Sequence, residues 1–250
     1  MNWRVFNRAV TGSTNDDARA GVPGDVFTAD FQFAGRGRLN HVWLSRPRSN
    51  LLMSAVLGVD DLPAERVATL PLVVGLSVCE ALQSAFPTDV PDRYRLKWPN
   101  DVLIGGRKIC GILCVRGDAG VIAGIGVNVA QREFPPEIAD RAVSLAQVCA
   151  SARKGDVRDR VRDEVLARLA ENLALWREAG FAALLPRMEK ADALKGATVT
   201  VKRTDDDLSP ASGTCGGIAD DGALIVAGER VYAGEAHVVA ASALGPETVR

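Results

Sequence analysis

The stretch from Arg95 to Leu113 constrains the fold more than any other. It reads Arg-Leu-Lys-Trp-Pro-Asn-Asp, then Val-Leu-Ile-Gly-Gly-Arg-Lys, then Ile-Cys-Gly-Ile-Leu. Two apolar, β-forming runs flank Gly105-Gly106, which predicts a hairpin. A preceding strand halts at Pro99. Lys97, Asn100, Asp101 and Lys108 fall inside this otherwise buried-looking chain. Lys and Asp are costly to bury without partners. They must pair with one another or face a polar ligand.

The rest of the chain supplies a sheet and helices around this hairpin. Strands are expected at Trp3–Arg8, Asp25–Phe33, Asn50–Leu57 and Ala119–Val129. Helical spacing of Val67, Leu70, Val74, Val78, Ala81 and Leu82 predicts one long core helix over Pro63–Phe86. Val157, Val161, Val165, Leu169, Leu173 and Trp176 predict a second over Asp156–Ala179. A short helix is expected at Ser144–Ser151 and an amphipathic one at Phe181–Ala191. From Gly196 the chain turns β-like, with five short runs (Thr198–Lys202, Gly213–Ile218, Ala223–Val226, Arg230–Tyr232, Ala236–Ala240) separated by turn signals. These suggest a small barrel. The expected architecture is α+β, with residues 1–192 as a mixed-sheet domain with packed helices and 193–250 as a small β-barrel. A chain of 250 residues is long enough for both.

Composition removes several function classes. The formal net charge is −1 and no charge blocks occur, which argues against broad binding to nucleic acid. The most apolar stretch, Leu70–Ala85, is interrupted by Pro71, Gly75, Glu80 and Gln83, so no membrane span is expected. Met1–Phe6 reads as a strand, not as a secretory leader. Five cysteines without a CxxC pattern read as buried free thiols in a reducing cytoplasm. Cys110 and Cys114 fall on one face of a strand, but a metal or redox pair there is the lesser reading. His41 and His237 are the only histidines, too few for a zinc site or a catalytic triad.

What remains is cationic and amide chemistry. Thr11-Gly-Ser-Thr-Asn-Asp-Asp17 reads as a capped helix start whose hydroxyls and free N–H groups can hold a polar ligand. Gln32 stands near the end of its strand. Gly35-Arg-Gly-Arg-Leu-Asn-His-Val-Trp43 is either a solvated basic loop or a ligand loop. In the second reading its glycines permit close approach, its arginines grip phosphate or carboxylate, and Trp43 stacks on a purine. It lacks the third glycine of a dinucleotide fingerprint and the Gly-Lys-Ser/Thr of a P-loop. Asn128 ends the Gly-rich strand Ala119–Val129, as a core amide or a ligand contact. Arg36, Arg38, Lys97, Lys108, Asn100 and Asn128 suit charge stabilisation on phosphates and a carboxylate without covalent catalysis.

Taken in order, Ser13-Thr14-Asn15, Gln32, Gly35-Arg36-Gly37-Arg38 with Trp43, Lys97-Trp-Pro-Asn-Asp101, Gly106-Arg-Lys108-Ile-Cys-Gly111, Gly124-Ile-Gly126-Val-Asn128 and the late Gly234-Glu235 carry a resemblance. The sequence resembles the biotin protein ligases (biotin–acetyl-CoA-carboxylase ligases) of the biotin/lipoate ligase superfamily, over almost its whole length. The resemblance implies a class II synthetase-like catalytic domain and an SH3-like C-terminal barrel. It implies ATP-dependent formation of biotinyl-5′-AMP and transfer of biotin to a lysine of a biotin carboxyl carrier domain, in acetyl-CoA carboxylase or a related carboxylase. By the same resemblance Ser13, Thr14, Asn15, Gln32, Arg36, Gly37, Arg38, Lys108 and Gly111 hold biotin. Arg36, Arg38, Trp43, Lys97, Asn100, Asp101 and Asn128 serve the nucleotide, with Mg²⁺ accompanying ATP. Lys108 and Arg38 are the expected electrostatic catalysts, and no residue is assigned as a resident metal ligand. Asp101 is left to orient a lysine, hold Mg²⁺ or help the incoming amine. Edge-to-edge homodimers occur in the family, which makes one an expectation here. Two departures stand out. Leu39-Asn40-His41 replaces the Arg-Gly-Arg that usually continues the loop, and the sequence starts at the catalytic domain, so no operator binding is expected. A lipoate or octanoate ligase or transferase of the superfamily is the nearest rival function, and a non-catalytic biotin or nucleotide sensor the next.

Overall fold

The structure, a computed structural model, describes residues 2–90, 92–153, 155–203 and 209–239. In chain order, β1 (Arg4–Thr11), the short α1 (Thr14–Asp17), β2 (Asp25–Gln32) and β3 (Asn50–Leu57) come first. They are followed by α2 (Ala64–Val67), α3 (Leu70–Ala85), β4 (Arg95–Lys97), β5 (Asp101–Ile104), β6 (Arg107–Gly117) and β7 (Gly120–Asn128). Then come α4 (Leu145–Val148), α5 (Arg158–Ala179) and α6 (Leu185–Ala191). The C-terminal strands are β8 (Thr198–Lys202), β9 (Ala211–Ile218), β10 (Leu224–Val226), β11 (Glu229–Val231) and β12 (Glu235–Val238). The expected last strand thus begins one residue early, and its Ala240 lies outside the described residues, as does the rest of 240–250.

The first seven strands form one mixed sheet in the order β1-β2-β3-β7-β6-β5-β4, with β1 parallel to β2 and the other pairs antiparallel. Gly105 and Gly106 take φ of +56° and +71° at the β5–β6 turn, the left-handed pair that a tight hairpin demands. Helices α3 and α5 cover one face. Alternation decides which side chains go there: Leu51, Met53, Ala55 and Leu57 of β3 point to the helices, whereas Ser54 and Val56 face the other side. That other face carries α1 and the polar site.

The expected long helix over Pro63–Phe86 is two helices. Pro71 lies in the first turn of α3, where its missing N–H costs nothing, so it begins a new helix after a break at Ala68-Thr69. Taken as a whole, Ala64–Ala85 has the length and apolarity of a membrane span, yet most of it is buried in the fold. α3 is buried nearly all round because it sits between the sheet and α5. Its polar groups are matched: Asn172 Nδ2 donates to Ser77 Oγ at 3.0 Å, and Trp176 Nε1 to Thr69 Oγ1 at 2.9 Å. Glu80 of α3 takes the Arg187 guanidinium, which also reaches Asn172, so one charged clamp ties α3, α5 and α6. Where one amphipathic helix was expected over Phe181–Ala191, a 3₁₀ turn at Phe181–Leu184 precedes α6 and Pro186. On α5 the stripe is buried as expected except for Val157, which is half-buried, and it also includes Leu166 and Asn172.

The last five strands form a second, antiparallel sheet in the order β11-β10-β9-β8-β12. Val199, Val201, Leu224 and Val226 belong to the same apolar cluster as the main core. Trp98 Nε1 donates to the Gly222 carbonyl at 3.0 Å, and Ala193 N to the Leu96 carbonyl at 2.9 Å. The small sheet is therefore seated on the hairpin's own edge, β4 and the turn after it.

Candidate active site

The open face of the sheet holds a small cavity of about 30 Å³, lined among others by Ser13, Thr14, Asn15, Gln32, Arg36, Trp43, Gly111 and Gly124. Its floor is a polar cluster. Thr14 N and Oγ1 both donate to Gln32 Oε1, at 2.7 and 2.9 Å. Ser54 Oγ lies 2.7 Å from Thr14 Oγ1 and 2.6 Å from Asn15 Oδ1, so its single proton serves one of the two at a time. Asn15 Nδ2 reaches the Leu113 carbonyl at 3.4 Å. Ser13 caps α1 through its backbone only, which leaves its hydroxyl to the cavity. Gly124 makes this cluster feasible: a Cβ there would sit 2.4 Å from Asn15 Oδ1.

The loop from Gly35 to Trp43 closes over this floor. Gly37 N donates to the His41 carbonyl at 2.6 Å and Trp43 N to the Gly35 carbonyl at 2.9 Å, which folds the loop back on itself. Trp43 then lies flat on two glycines: a Cβ at Gly126 would be 2.6 Å from its ring and one at Gly111 2.9 Å. Its buried Nε1 has no hydrogen-bond partner among the described residues. The indole accounts for the small cavity, which has room for one or two waters and not for an organic ligand.

Each cation of the site is held by the chain itself. Lys108 Nζ lies 2.8 Å from Asp101 Oδ1 and 5.8 Å from the Trp43 ring centre. Arg38 donates to Asn100 Oδ1 at 3.1 Å and to the Gly234 carbonyl of the small sheet at 3.3 Å. Arg36 pairs with Asp16 of α1. Burial pushes the Asp16 carboxyl up, but the hydrogen bond and charge of Arg36, then of Arg19, outweigh it and hold the group below its ordinary value. Asn100 Nδ2 also donates to the Ile112 carbonyl at 2.8 Å, pinning the turn after Pro99 to β6.

A family model for the "Biotin/lipoate A/B protein ligase family" matches residues 14–131, the span that contains this site. The chain is 36% identical over 184 residues to a biotin–[acetyl-CoA-carboxylase] ligase of Mycobacterium tuberculosis, covering 71% of this chain and 67% of that one. It is 33% identical to the enzyme of that name from Paracoccus denitrificans, covering 88% of this chain and 92% of that one. The chain belongs to the biotin protein ligase family. Its fold agrees: the biotin protein ligase of Aquifex aeolicus, solved in complex with biotin and ATP, superposes with a TM-score of 0.82 at 31% identity over 94% of this chain and 98% of that one. The chain spans only 41% and 39% of the bifunctional ligase/repressors of Bacillus that it also matches.

Within this ligase the expected residues separate into two groups. Ser13, Thr14, Asn15, Gln32, Arg36, Trp43 and Gly111 line one cavity, with Lys108 against Gly111 and Trp43. Gly37, Arg38, Asn100 and Asp101 do not line it; the loop and the hairpin connect them to residues that do or that touch the lining. Lys97 and Asn128 fall outside the cavity lining. Lys97 is opposite Asp101 across the β4–β5 pair. Asn128 is buried, accepting from Asn50 Nδ2 at 3.3 Å and donating to the Val143 carbonyl at 3.1 Å. Ser54 was missed, because a serine in an apolar strand has no local signature. Cys110 and Cys114 are free thiols packed on the helix side. Burial pushes Cys114 up to about 12 and Cys110 higher, so neither is a reactive thiolate.

Proposed function

We propose that this ligase joins biotin to ATP and then to a protein lysine, using the cavity floor for biotin and the three cations above it for charge. In the first step a biotin carboxylate oxygen attacks the α-phosphorus of ATP, giving biotinyl-5′-AMP and releasing pyrophosphate. In the second a neutral lysine amine attacks the acyl carbon, AMP leaves with the bonding pair, and the amine proton passes to base or solvent. The observation that carries this reading is that Arg36 of the loop lines the polar-floored cavity while Lys108 of the hairpin lies against two of its lining residues, Gly111 and Trp43, although loop and hairpin are distant in sequence.

A ureido ring carries one strong acceptor and two N–H donors, which matches the hydroxyls of Ser13 and Thr14 and the amides of Asn15 and Gln32. Arg36 and Gly37 hold the carboxylate end, and Gly111 lets it approach β6. Lys108 counters the charge that grows on the carboxylate and α-phosphate, and Arg38 holds the phosphate from the loop. Trp43 leaves its seat on Gly126 to stack on the adenine, and Lys97 and Asn100 reach the nucleotide from the hairpin. Asn128 acts by holding the backbone of Lys108, whose carbonyl its Nδ2 meets at 3.4 Å. Asp101 orients Lys108. As a carboxylate beside Lys108, with an oxygen that no aligned hydrogen bond satisfies, it also fits Mg²⁺ delivered on ATP, which would neutralise phosphate charge.

The acceptor is a biotin carboxyl carrier domain of acetyl-CoA carboxylase or a related carboxylase. Residues 1–192 form the catalytic unit and 193–250 the small domain that braces Arg38. Five free thiols support a reducing compartment such as the cytoplasm for this reaction. The exposed edge strand β1, with Val5, Phe6 and Val10 open, offers unpaired backbone for a second copy in a homodimer. The test is transfer of labelled biotin to a purified carrier domain with and without ATP, run beside lipoate. ATP-dependent label on the acceptor lysine is expected. Transfer of lipoate alone, or adenylate without any transfer, would refute the reading.

A further inference from the structure

Asp16 stands outside the expected ligand set, yet it occupies Arg36, the cation that lines the cavity. It sits in the first turn of α1, one residue after Asn15, and its Oδ1 takes Arg36 Nη2, with Arg19 Nε at 3.4 Å on the same oxygen. Arg36 has no other hydrogen-bonding acceptor among the described residues. Both side chains are about half exposed, at 45% and 49%. The pair therefore lies at the mouth, where water can replace either partner cheaply. Lys108 is different: its acceptor Asp101 is more enclosed.

We propose that Asp16 is a positioning residue whose carboxylate stands in for the ligand's carboxylate on Arg36, so that biotin binds by displacing it. The inference rests on the reading of Arg36 as the carboxylate grip. Three consequences follow from the geometry. Asp16 competes with the ligand, so removing its charge tightens binding. It acts through Arg36 alone, so its effect vanishes when Arg36 is absent. And it is an exposed ionic contact, so added salt weakens it. A role in merely building α1 predicts none of these, because Asp16 N is already satisfied by the Ser13 carbonyl at 3.0 Å whatever its side chain does.

The experiment is calorimetric titration of the intact chain with biotin, without ATP, for wild type, Asp16→Asn, Arg36→Ala and the double variant, at low and high salt. Asp16→Asn is expected to lower the Kd for biotin about two- to fivefold, the range open to an exposed ion pair. That gain should be lost at high salt and in the Arg36→Ala background. Asp16→Glu, which keeps the charge, should restore the wild-type Kd. Equal or weaker binding by Asp16→Asn, or a gain that persists without Arg36, overturns the inference while leaving the biotin site intact. Failure of the wild-type chain to bind biotin overturns the ligand reading and this inference with it.

Discussion

Gly124 is where the polar floor of the site is least able to change. A Cβ there would meet Asn15 Oδ1 at 2.4 Å and its Cγ and Nδ2 at 3.0 Å. Restoring an ordinary contact requires the Asn15 amide to retreat by about 1 Å. It cannot retreat freely, because Ser54 Oγ holds its oxygen at 2.6 Å and the residue is only 6% exposed. Gly124→Ala should therefore cost about 1–3 kcal/mol in overpacking and about 1–3 kcal/mol for the stranded amide. If the two partly relieve one another, the loss is about 2–4 kcal/mol, or about 4–8 °C in Tm for a chain of this size. Function should suffer more than stability. The Asn15–Ser54–Thr14–Gln32 chain moves as a unit, and a displacement of about 1 Å in a binding group can cost about a hundredfold in rate. Biotin-dependent ATP–pyrophosphate exchange measures this, beside thermal unfolding. Asn15→Ala in the Gly124→Ala background removes the clash, so it should recover most of the lost Tm and none of the biotin affinity. A Gly124→Ala protein with wild-type Tm and wild-type KM for biotin would refute the packing argument.

Lys108→Ala should slow pyrophosphate exchange about 10²- to 10³-fold, the range for one preorganised charge contact, with little change in Tm because its side chain is 38% exposed; exchange near the wild-type rate would remove it from the chemistry. Trp43→Ala should raise KM for ATP about 5- to 100-fold through lost base stacking and lower KM for biotin, because the indole no longer fills the cavity, which steady-state kinetics in each substrate can separate; an unchanged KM for ATP would end the stacking role. Asp192 is buried at the join between the sheets, with Oδ2 unpartnered among the described residues, and burial pushes its carboxyl above the ordinary 3.8. The folded state then holds this proton more tightly than the unfolded one. Its stabilising share is complete below pH 3.8 and is lost as pH rises through the folded value. Asp192→Asn should raise Tm at neutral pH and flatten that acid-side slope; a lower Tm at pH 7 would show that the charge is needed.

The hairpin was legible because its signals are local. Gly105-Gly106 dictates the turn, and the charges on Lys108 and Asp101 demanded partners; the structure supplies the pair at 2.8 Å. The helix break at Thr69 was not legible from periodicity, since the apolar spacing runs straight through it and only Pro71 hints at a new start. Gly124 and Ser54 are harder still. Their necessity lies in where Asn15 goes, and that partner is brought to them by the pairing of β3 with β7 and the packing of α1. Asn128 shows the opposite limit: a polar residue ending a glycine-rich strand reads equally as a core amide or a ligand contact, and its bonds to Asn50 and the Val143 carbonyl appear only once the strands are paired.

The loop around Arg38 bears on the departure at Leu39-Asn40-His41. A loop with fewer cations has less to gain from a bound anion, so more of its ordering must come from the protein. The structure supplies that ordering from the small sheet. The Gly234 carbonyl takes Arg38, and Glu235 lies 3.8 Å from His41 Nδ1. Gly234 itself tolerates no side chain, since a Cβ would fall 2.4 Å from the Lys202 carbonyl oxygen, so the turn that presents these acceptors is fixed by β8. Leu39 takes φ +50°, an unfavourable left-handed conformation, and it is held there between Gly37 and His41. On the proposed reading, ligand entry would be an exchange of partners: Asp16, the Gly234 carbonyl and Asn100 would give up cations that the carboxylate and phosphates take. Affinity in such a site reflects the difference between two sets of charge-assisted bonds, so weakening an internal acceptor can tighten binding as effectively as adding a contact.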